Sequence, residues 1–317
     1  MDRLRKSARR QASGERLRRG ANAAARGALY GVLAAFLAAS PTLAHGFAGK
    51  RFFPATPSTE DPAVADELAL PSVTRFGGET AISGEYAKRL FGNVGVSVAG
   101  EWVHSSESGT EEEGFANIET AARWQFLTSA EHEAIATLGL AFEWGGSGSE
   151  EFGEETTVVA PSLAFGKGFG DLPDSMNWAK PLAVTGIVEY ARPVHGVDDL
   201  GDPIPTALEG GLSLQYSLPY LTSSVSDANL PGWARRLIPI VEFTFDDPVR
   251  DAGDERFSAT VRPGLLYVGR RLQLGAEAII PANDEAGDKV GFIMQLHFFI
   301  DDMFPGSLGK PLWGSRR

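Results

Sequence analysis

The chain has 317 residues, no cysteine and a formal net charge of −12. Without cysteine it can hold no disulfide, no thiol nucleophile and no thiolate metal site. The acidic balance excludes nucleic acid as a natural partner, because binding to phosphates needs basic surfaces.

The first 44 residues have the pattern of an export signal. Residues 1–27 carry nine basic and two acidic side chains, and the apolar run 28–40 follows them. Thr42-Leu43-Ala44 then forms a small-x-Ala cleavage site. The run is short for a bilayer span, so we predict a secretory signal peptide that is cleaved after Ala44, with an N-terminal membrane anchor as the alternative. The remaining 273 residues would carry a net charge of about −19.

Residues 45–66 are rich in Pro and Asp and lack periodicity, which predicts an irregular periplasmic N-terminal segment. Beyond them, segments of 9–13 residues alternate between apolar and polar side chains, which is typical of β-strands. The clearest segments are 94–103, 116–126, 134–144, 182–191, 208–218, 239–245, 257–268, 272–280 and 289–301, and the weaker ones are 79–90 and 156–166.

Each predicted strand has one apolar face, but alternation alone does not say which face points inward. A soluble barrel buries the apolar face, whereas an outer-membrane barrel turns it toward lipid. Three features favour lipid. The segments are long enough to cross a bilayer at a tilt, aromatic residues cluster near their ends, and long acidic connections alternate with tighter or more basic ones.

The even number of strands expected in such a barrel requires one more strand. Eleven segments run from residue 79 to residue 300, whereas bacterial outer-membrane barrels have an even number of strands and both ends in the periplasm. A further strand at 67–76, turning at Gly77-Gly78, would restore the parity. We therefore predict an all-β, transmembrane, antiparallel up-and-down outer-membrane barrel of twelve strands over residues 67–300, with ten strands as the alternative. Residues 301–317 are predicted to form a periplasmic tail or to fold back onto the barrel.

The polar faces of the predicted strands carry about one Glu each, and few cations oppose them. Unpaired carboxylates in a dry interior are costly, so these residues need water or cationic partners. One interpretation is an acidic lumen that favours cations; the other is a Glu–Arg network that plugs the barrel. The candidate lumen-lining residues are Glu85, Glu101, Glu119, Arg123, Glu143, Glu189, Glu209, Glu242, Arg262, Glu277, Gln295 and His297.

An enzymatic alternative rests on His104 and Ser106, which share the lipid-facing side at the outer end of a strand. A His–Ser pair there is the arrangement of an outer-membrane lipid hydrolase, and Asn117 is the candidate orienting residue. No other catalytic residue is predicted. No histidine pair has metal-ligand spacing, and the acidic loops lack the pattern of a calcium-binding EF-hand. No metal site and no cofactor are predicted.

Several stretches resemble a known group of proteins: HGFAGKRFFPAT (45–56), ADELALPSV (65–73), FGKGFGDLPDS (165–175), LQYSLPYL (214–221), LGAEAIIP (274–281) and QLHFFIDDMFP (295–305). They are similar to exported bacterial proteins of the meta-pathway phenol-degradation family of outer-membrane β-barrels. The resemblance implies uptake of hydrophobic substrates and supplies no catalytic residue. The chain departs from the usual pattern because residues 301–317 follow the last strand, where such proteins usually end on an aromatic residue.

These observations predict a channel or transporter-like barrel in the outer membrane of a Gram-negative bacterium, for a small hydrophobic or aromatic solute. The alternatives are a plugged structural barrel and the lipid hydrolase. The expected partners are outer-membrane lipid and lipopolysaccharide, the barrel-assembly machinery and the small-molecule solute. The acidic loops are predicted to be merely solvated, with divalent-cation bridging to lipopolysaccharide as the alternative.

Overall fold

The computed structural model describes residues 46–106, 111–197, 203–253 and 255–314, and nearly all of their regular structure is β. The predicted signal peptide and its cleavage site lie outside these residues. Within the described ranges, no helix combines the length and the apolar character that crossing a bilayer requires.

Twelve long antiparallel strands form one closed barrel. Each strand pairs with its neighbours in sequence, and the last pairs with the first, where Phe292 lies opposite Arg75. The predicted twelve-stranded outer-membrane type of barrel is therefore confirmed. The strands are β1 (Glu67–Phe76), β2 (Glu79–Phe91), β3 (Val94–Ser105), β4 (Glu119–Ser129), β5 (Ala134–Glu143), β6 (Val158–Gly168), β7 (Leu182–Pro193), β8 (Thr206–Tyr216), β9 (Leu237–Arg250), β10 (Ser258–Val268), β11 (Leu272–Pro281) and β12 (Gly291–Phe299).

The strand required by parity, β1, closes the barrel by pairing with β2 on one side and with β12 on the other. It turns into β2 at Gly77 and Gly78, whose φ angles are 67° and 117°. Residues other than glycine rarely adopt such φ angles, so this Gly-Gly pair permits the tight two-residue turn.

The strands turn their apolar faces outward. On β8, Leu212 and Leu214 are each 47% exposed, whereas Ser213 between them is fully buried. A soluble barrel would bury the leucines. Outward apolar and inward polar side chains match a barrel whose outer surface meets hydrocarbon, as the sequence analysis predicts.

Both described ends of the chain lie at one end of the barrel, here called the inner end. Outer-membrane barrels keep this end in the periplasm. The acidic connections lie at the opposite, outer end. The two long connections at the inner end contain short helical turns, whose bounds are Asp174–Met176, Leu218–Tyr220, Leu221–Val225 and Ala234–Arg236.

The N-terminal segment differs from its prediction. Residues 46–66 are irregular as expected, apart from a small hairpin of Phe47–Ala48 and Arg51–Phe52, but they contact inward-facing side chains inside the barrel. Phe53 packs against Ile135 of β5 and Ala183 of β7. The segment is therefore part of the barrel interior and not a separate periplasmic piece.

The C-terminal tail begins with the short helix Ile300–Met303 and folds back onto the barrel. The backbone N–H of Trp313 donates to the carbonyl of Leu90 at 2.8 Å, and the Trp313 and Phe91 rings lie 5.7 Å apart. Of the two predicted placements, the described part of the tail adopts the second, packed against the inner end of β2.

Candidate functional site

The twelve candidate lumen residues all lie on the inward faces of their strands, on alternate positions from the exposed apolar side chains. They divide into two levels along the barrel axis. Glu101, Glu119, Glu143, Glu189 and Glu209 lie toward the outer end, whereas the other members lie in the inner half, where they meet the N-terminal segment.

The outer half of the lumen is acidic. Glu119 lies directly opposite Glu143, and Glu209 lies between Glu189 on one neighbouring strand and Asp246 on the other. Among the described residues, no Lys or Arg forms an ion pair with any of these five carboxylates. Like charges placed directly opposite each other repel. The outer half therefore needs water and mobile cations to compensate its charge.

The inner half of the lumen is occupied by residues 54–65, here called the inner loop. On one wall the loop is held by Ser58, whose N–H donates to Glu242 at 3.0 Å and whose hydroxyl donates to Glu277 at 2.7 Å. Arg262, on the strand between them, donates to the Ser58 hydroxyl at 2.8 Å. The predicted lumen residues Glu242, Arg262 and Glu277 therefore jointly bind the inner loop to this wall.

On the opposite wall, β4 and β5 hold the next part of the loop. Arg123 lies 3.4 Å from the Glu60 carboxylate and donates to the carbonyl of Asp61. Thr137 donates to the carbonyl of Pro62, and the N–H of Val64 donates to the side-chain oxygen of Gln125 at 3.0 Å. The inner loop thus crosses the lumen from the β9–β11 wall to the β4–β5 wall.

Before the inner loop, Arg51 anchors the N-terminal segment at the inner end. It is fully buried, lies 3.1 Å from the Glu133 carboxylate, donates to the carbonyl of Pro181 at 3.0 Å, and stacks on Tyr220 with its guanidinium 3.7 Å from the ring centre. Tyr220 in turn donates to Glu133 at 2.6 Å. We call Arg51, Glu133 and Tyr220 the inner clamp.

After the inner loop, Asp66 forms a second anchor. Its carboxylate is buried and accepts from Lys88 at 2.7 Å and from the Arg89 side chain at 2.9 Å. Arg89 also donates to the carbonyl of Gly309 in the tail. The inner loop is therefore a short segment tethered at both ends to the same end of the barrel.

Neither anchor is predicted from the sequence. Arg51 lay in a segment that was predicted to be outside the barrel, and Glu133 and Tyr220 lay in connections. One signal is present in GKGFG (166–170), because a side chain at Gly170 would collide with Glu133 and Tyr220. A glycine that lets other groups approach so closely can mark a packed junction.

Beside the inner loop, a cavity of about 250 Å³ remains between the loop and strands β1–β4 and β12. Glu85, Arg123, Gln295 and His297 line it, together with Glu67, whose carboxylate lies 3.0 Å from Nε2 of His297. These predicted residues therefore border space that the loop leaves unfilled.

The predicted His104–Ser106 pair is not assembled for catalysis. The Ser106 hydroxyl donates to the carbonyl of Gly78 at 3.2 Å, and the His104 ring stacks on Trp102. Asn117 donates to Glu143 at 3.0 Å on the lumen side. A nucleophile needs its base within hydrogen-bonding reach. Here Ser106, His104 and Asn117 each contact a different group, and they do not contact one another.

No protein-family model matches the sequence, and no curated protein matches it. The resemblance to the phenol-degradation family therefore stays a prediction. Solved structures do match. An outer membrane channel from Pseudomonas putida F1 has 13% identity and a TM-score of 0.51, over 78% of this chain and 99% of that one. A NanC porin has 8% identity and a TM-score of 0.47, over 74% and 98%. LpxR from Salmonella typhimurium has 9% identity and a TM-score of 0.43, over 74% and 99%.

At these identities a likeness establishes the fold and nothing of the activity. The Pseudomonas channel covers most of this chain, and the match agrees with the outward apolar faces and the closed strand order. The chain is a closed twelve-stranded antiparallel β-barrel of the outer-membrane type.

Proposed function

We propose that the protein is an outer-membrane channel for small solutes whose passage is controlled by the inner loop. The observation that carries this proposal is the division of the lumen. Its outer half presents carboxylates that have no cationic partner among the described residues, and its inner half is filled by a tethered loop that leaves a cavity of about 250 Å³. A channel needs a polar path with a selective lining, and these two levels provide the lining and a barrier.

The tethering defines how such a barrier can move. Arg51 and Asp66 hold the two ends of the loop through buried ion pairs, whereas the loop itself meets the walls through hydrogen bonds and one ion pair to a half-exposed Glu60. The loop can shift within the lumen while both anchors stay in place. Solute passage would therefore require a rearrangement of the loop and not the loss of the whole N-terminal segment.

The charge of the outer lumen predicts cation preference. In planar bilayers with a salt gradient, the double variant Glu101→Gln, Glu143→Gln should lower the preference for potassium over chloride by a factor of about two or more, because two fixed negative charges leave the path. The reversal potential measures this ratio. Glu131→Gln, which removes one charge from an exposed inner connection, should leave it unchanged; an unaltered reversal potential in the double variant would reject the role of these carboxylates.

A plugged structural barrel is the second candidate, because the inner loop forms polar contacts with both walls. Bilayer recordings on refolded residues 45–317 separate the two. Conductance steps support the channel, whereas protein that shows heat-modifiable migration but never conducts supports the structural barrel. We propose a hydrophobic or aromatic solute on the basis of the family resemblance. Lipopolysaccharide and the barrel-assembly machinery are proposed as partners because the fold is of the outer-membrane type. Uptake of a radiolabelled aromatic solute into liposomes that contain the protein tests the choice of solute.

The lipid hydrolase is tested through its nucleophile. Because Ser106 donates to a backbone carbonyl and not to His104, the purified barrel should release no fatty acid from phospholipid vesicles, and Ser106→Ala should equal the wild type. Deacylation by the wild-type protein that falls at least about a hundredfold in Ser106→Ala would overturn this expectation and establish the enzyme.

A further inference from the structure

The cavity beside the inner loop is a built pocket, and strand register defines its floor. On the inward faces of three adjacent strands, Glu85 of β2 lies opposite Ala69 of β1, and Ala69 lies opposite His297 of β12. Neighbouring strands are about 4.8 Å apart, so the backbones of Glu85 and His297 are separated by about 10 Å. Only the methyl group of Ala69 stands between the two polar side chains.

A second row runs parallel to the first. Ser83, Ser72 and Gln295 lie opposite one another on the same three strands. The inner loop covers both rows, since Glu60 and Asp61 also line the cavity. The floor is made of small side chains with a polar group at each end, and the loop forms the lid.

The charged groups around this pocket are mostly carboxylates. Four carboxylates line it, from Glu60, Asp61, Glu67 and Glu85, and Arg123 is the one guanidinium among the described lining residues. Arg123 is already used, because it contacts Glu60 and donates to the carbonyl of Asp61. The carboxylates in the lining therefore outnumber the guanidinium groups four to one.

Two buried atoms at the cavity lack a partner, and one of them is an acceptor whatever the state of the histidine ring. Nδ1 of His297 and Oε1 of Gln295 have no partner among the described residues, and His297 is only 5% exposed. His297 has Nε2 3.0 Å from the Glu67 carboxylate. In the neutral ring Nδ1 accepts when Nε2 donates to Glu67, whereas in the imidazolium both nitrogens donate. Buried polar atoms normally have partners, and Oε1 of Gln295 accepts in either state of the histidine ring, so it calls for an N–H or O–H donor.

The remaining lining decides what kind of donor fits. Ala63, Val64, Ala87, Ala99 and Ile293 give the cavity an apolar side that suits a short alkyl chain. Within the described ranges, no three acidic or histidine side chains converge closely enough to hold a metal ion. A bare inorganic cation would therefore lack a coordination shell, whereas an organic ammonium group brings its own donors.

We propose that this cavity binds a short primary alkylammonium ion. Its N–H groups would bond to acceptors such as Glu85 and Gln295, and its alkyl chain would lie against the alanine-lined side. The further statement that such ions are solutes of the channel rests on the proposed function, whereas the binding site itself does not.

The test is calorimetric titration of the refolded chain, residues 45–317, in detergent micelles with n-butylammonium, tetramethylammonium and sodium chlorides. Butylammonium should bind saturably at one site per chain. Tetramethylammonium has no N–H group, and it should bind at least about tenfold more weakly, as should sodium. The proposal is overturned if butylammonium does not saturate, or if the three cations bind alike, which would indicate only counter-ions collected by an acidic lumen.

Variants localise the binding. Glu85→Gln removes a charge from the pocket, and Ala69→Leu fills its floor; each should weaken butylammonium binding about tenfold or more. Their matched controls are Glu131→Gln, an equal change of charge on an exposed connection, and Ala136→Leu, an equal gain of volume on the outer face of β5. Both controls should bind as the wild type does. Wild-type affinity in Glu85→Gln or in folded Ala69→Leu overturns the site.

Folding is checked by heat-modifiable migration, and if Ala69→Leu does not fold, Gln295→Leu replaces it with the same expected loss. Conduction is measured separately, so the two proposals can fail independently. Saturable binding without conductance steps keeps the site and rejects the channel. Conductance without saturable butylammonium binding keeps the channel and rejects the site.

Discussion

A disulfide between positions 59 and 211 should hold the inner loop against β8 and abolish the conductance that depends on its movement. Thr59 lies directly over Gly211, and a Cβ atom built at Gly211 would be 3.2 Å from the Cβ of Thr59. Disulfides need about 3.5–4.5 Å between these atoms, so a shift of a few tenths of an ångström accommodates the bond. The natural chain has no cysteine, so the double variant Thr59→Cys, Gly211→Cys offers a single possible pairing.

The measurement is a bilayer recording of the same refolded sample before and after reduction. Oxidised protein should show conductance at least about tenfold below that of the reduced form, since a covalent bond replaces contacts that thermal motion can break. Each single-cysteine variant should conduct equally with and without reductant, which controls for the substitutions. Equal conductance of the oxidised and reduced double variant would mean that solutes pass beside a stationary loop, and the gating role would be rejected.

The strands and their faces could be predicted because one physical rule sets both. Alternation such as Leu212–Ser213–Leu214 identifies a strand without further context, and the parity of an outer-membrane barrel supplied β1 even though its own pattern was weak. The inside-out orientation followed from features that repeat around the barrel, namely strand length, aromatic ends and loop charge. Each of these is a property of many residues, so errors at single positions do not matter.

The inner loop could not be predicted in the same way, because its position depends on individual contacts. Residues 54–65 have no period, and a Pro- and Asp-rich segment is equally compatible with a free periplasmic piece. Its partners are recognisable in the sequence only as polar lumen residues, so Glu242 and Glu277 are predicted to line the lumen, but their contacts with Ser58 are not predicted. The cavity floor was also missed, since Ala69 carries no chemical signal.

One signal in the strands did point to the loop. Gly95, Gly166, Gly211 and Gly275 all face inward, where an outer-membrane barrel has no general need for small residues. At each of them a Cβ atom would come within about 3 Å of the N-terminal segment: Val64, Pro62, Thr59 and Pro57 respectively. Glycine inside a strand commonly marks the close approach of another segment. Inward glycines on four separate strands are therefore a sequence signature of an occupied lumen.

The inner clamp should contribute strongly to stability at the inner end, because it contains a fully buried ion pair. Glu133→Gln keeps the volume of the side chain but leaves the buried Arg51 guanidinium without its carboxylate. Removing one partner of a buried ion pair typically costs about 3–5 kcal/mol. The variant should therefore unfold at lower urea concentration in micelles, and trypsin should cut sooner after Lys50 or Arg51 because the N-terminal hairpin loosens.

Asp171→Asn is the matched control at the same end of the barrel. Asp171 pairs with Lys167 at 2.9 Å, but both side chains are partly exposed, and exposed pairs contribute about 1 kcal/mol or less. This variant should resemble the wild type in urea and toward trypsin. Equal unfolding of Glu133→Gln and Asp171→Asn would contradict the view that the clamp anchors the inner loop.

The pH dependence of the clamp gives an independent check through Tyr220. Its burial, together with its hydrogen bond to Glu133, raises the pKa of Tyr220 from 10.0 to about 12. A raised native pKa means that this contribution to stability is complete below pH 10 and is lost as the pH rises from 10 to 12, because the unfolded chain releases the proton first. Urea unfolding of the wild type should weaken across that window. In Tyr220→Phe, which keeps the ring under Arg51 but has no hydroxyl, the decline should be smaller; an equal decline would place the titrating group elsewhere and remove Tyr220 from the clamp.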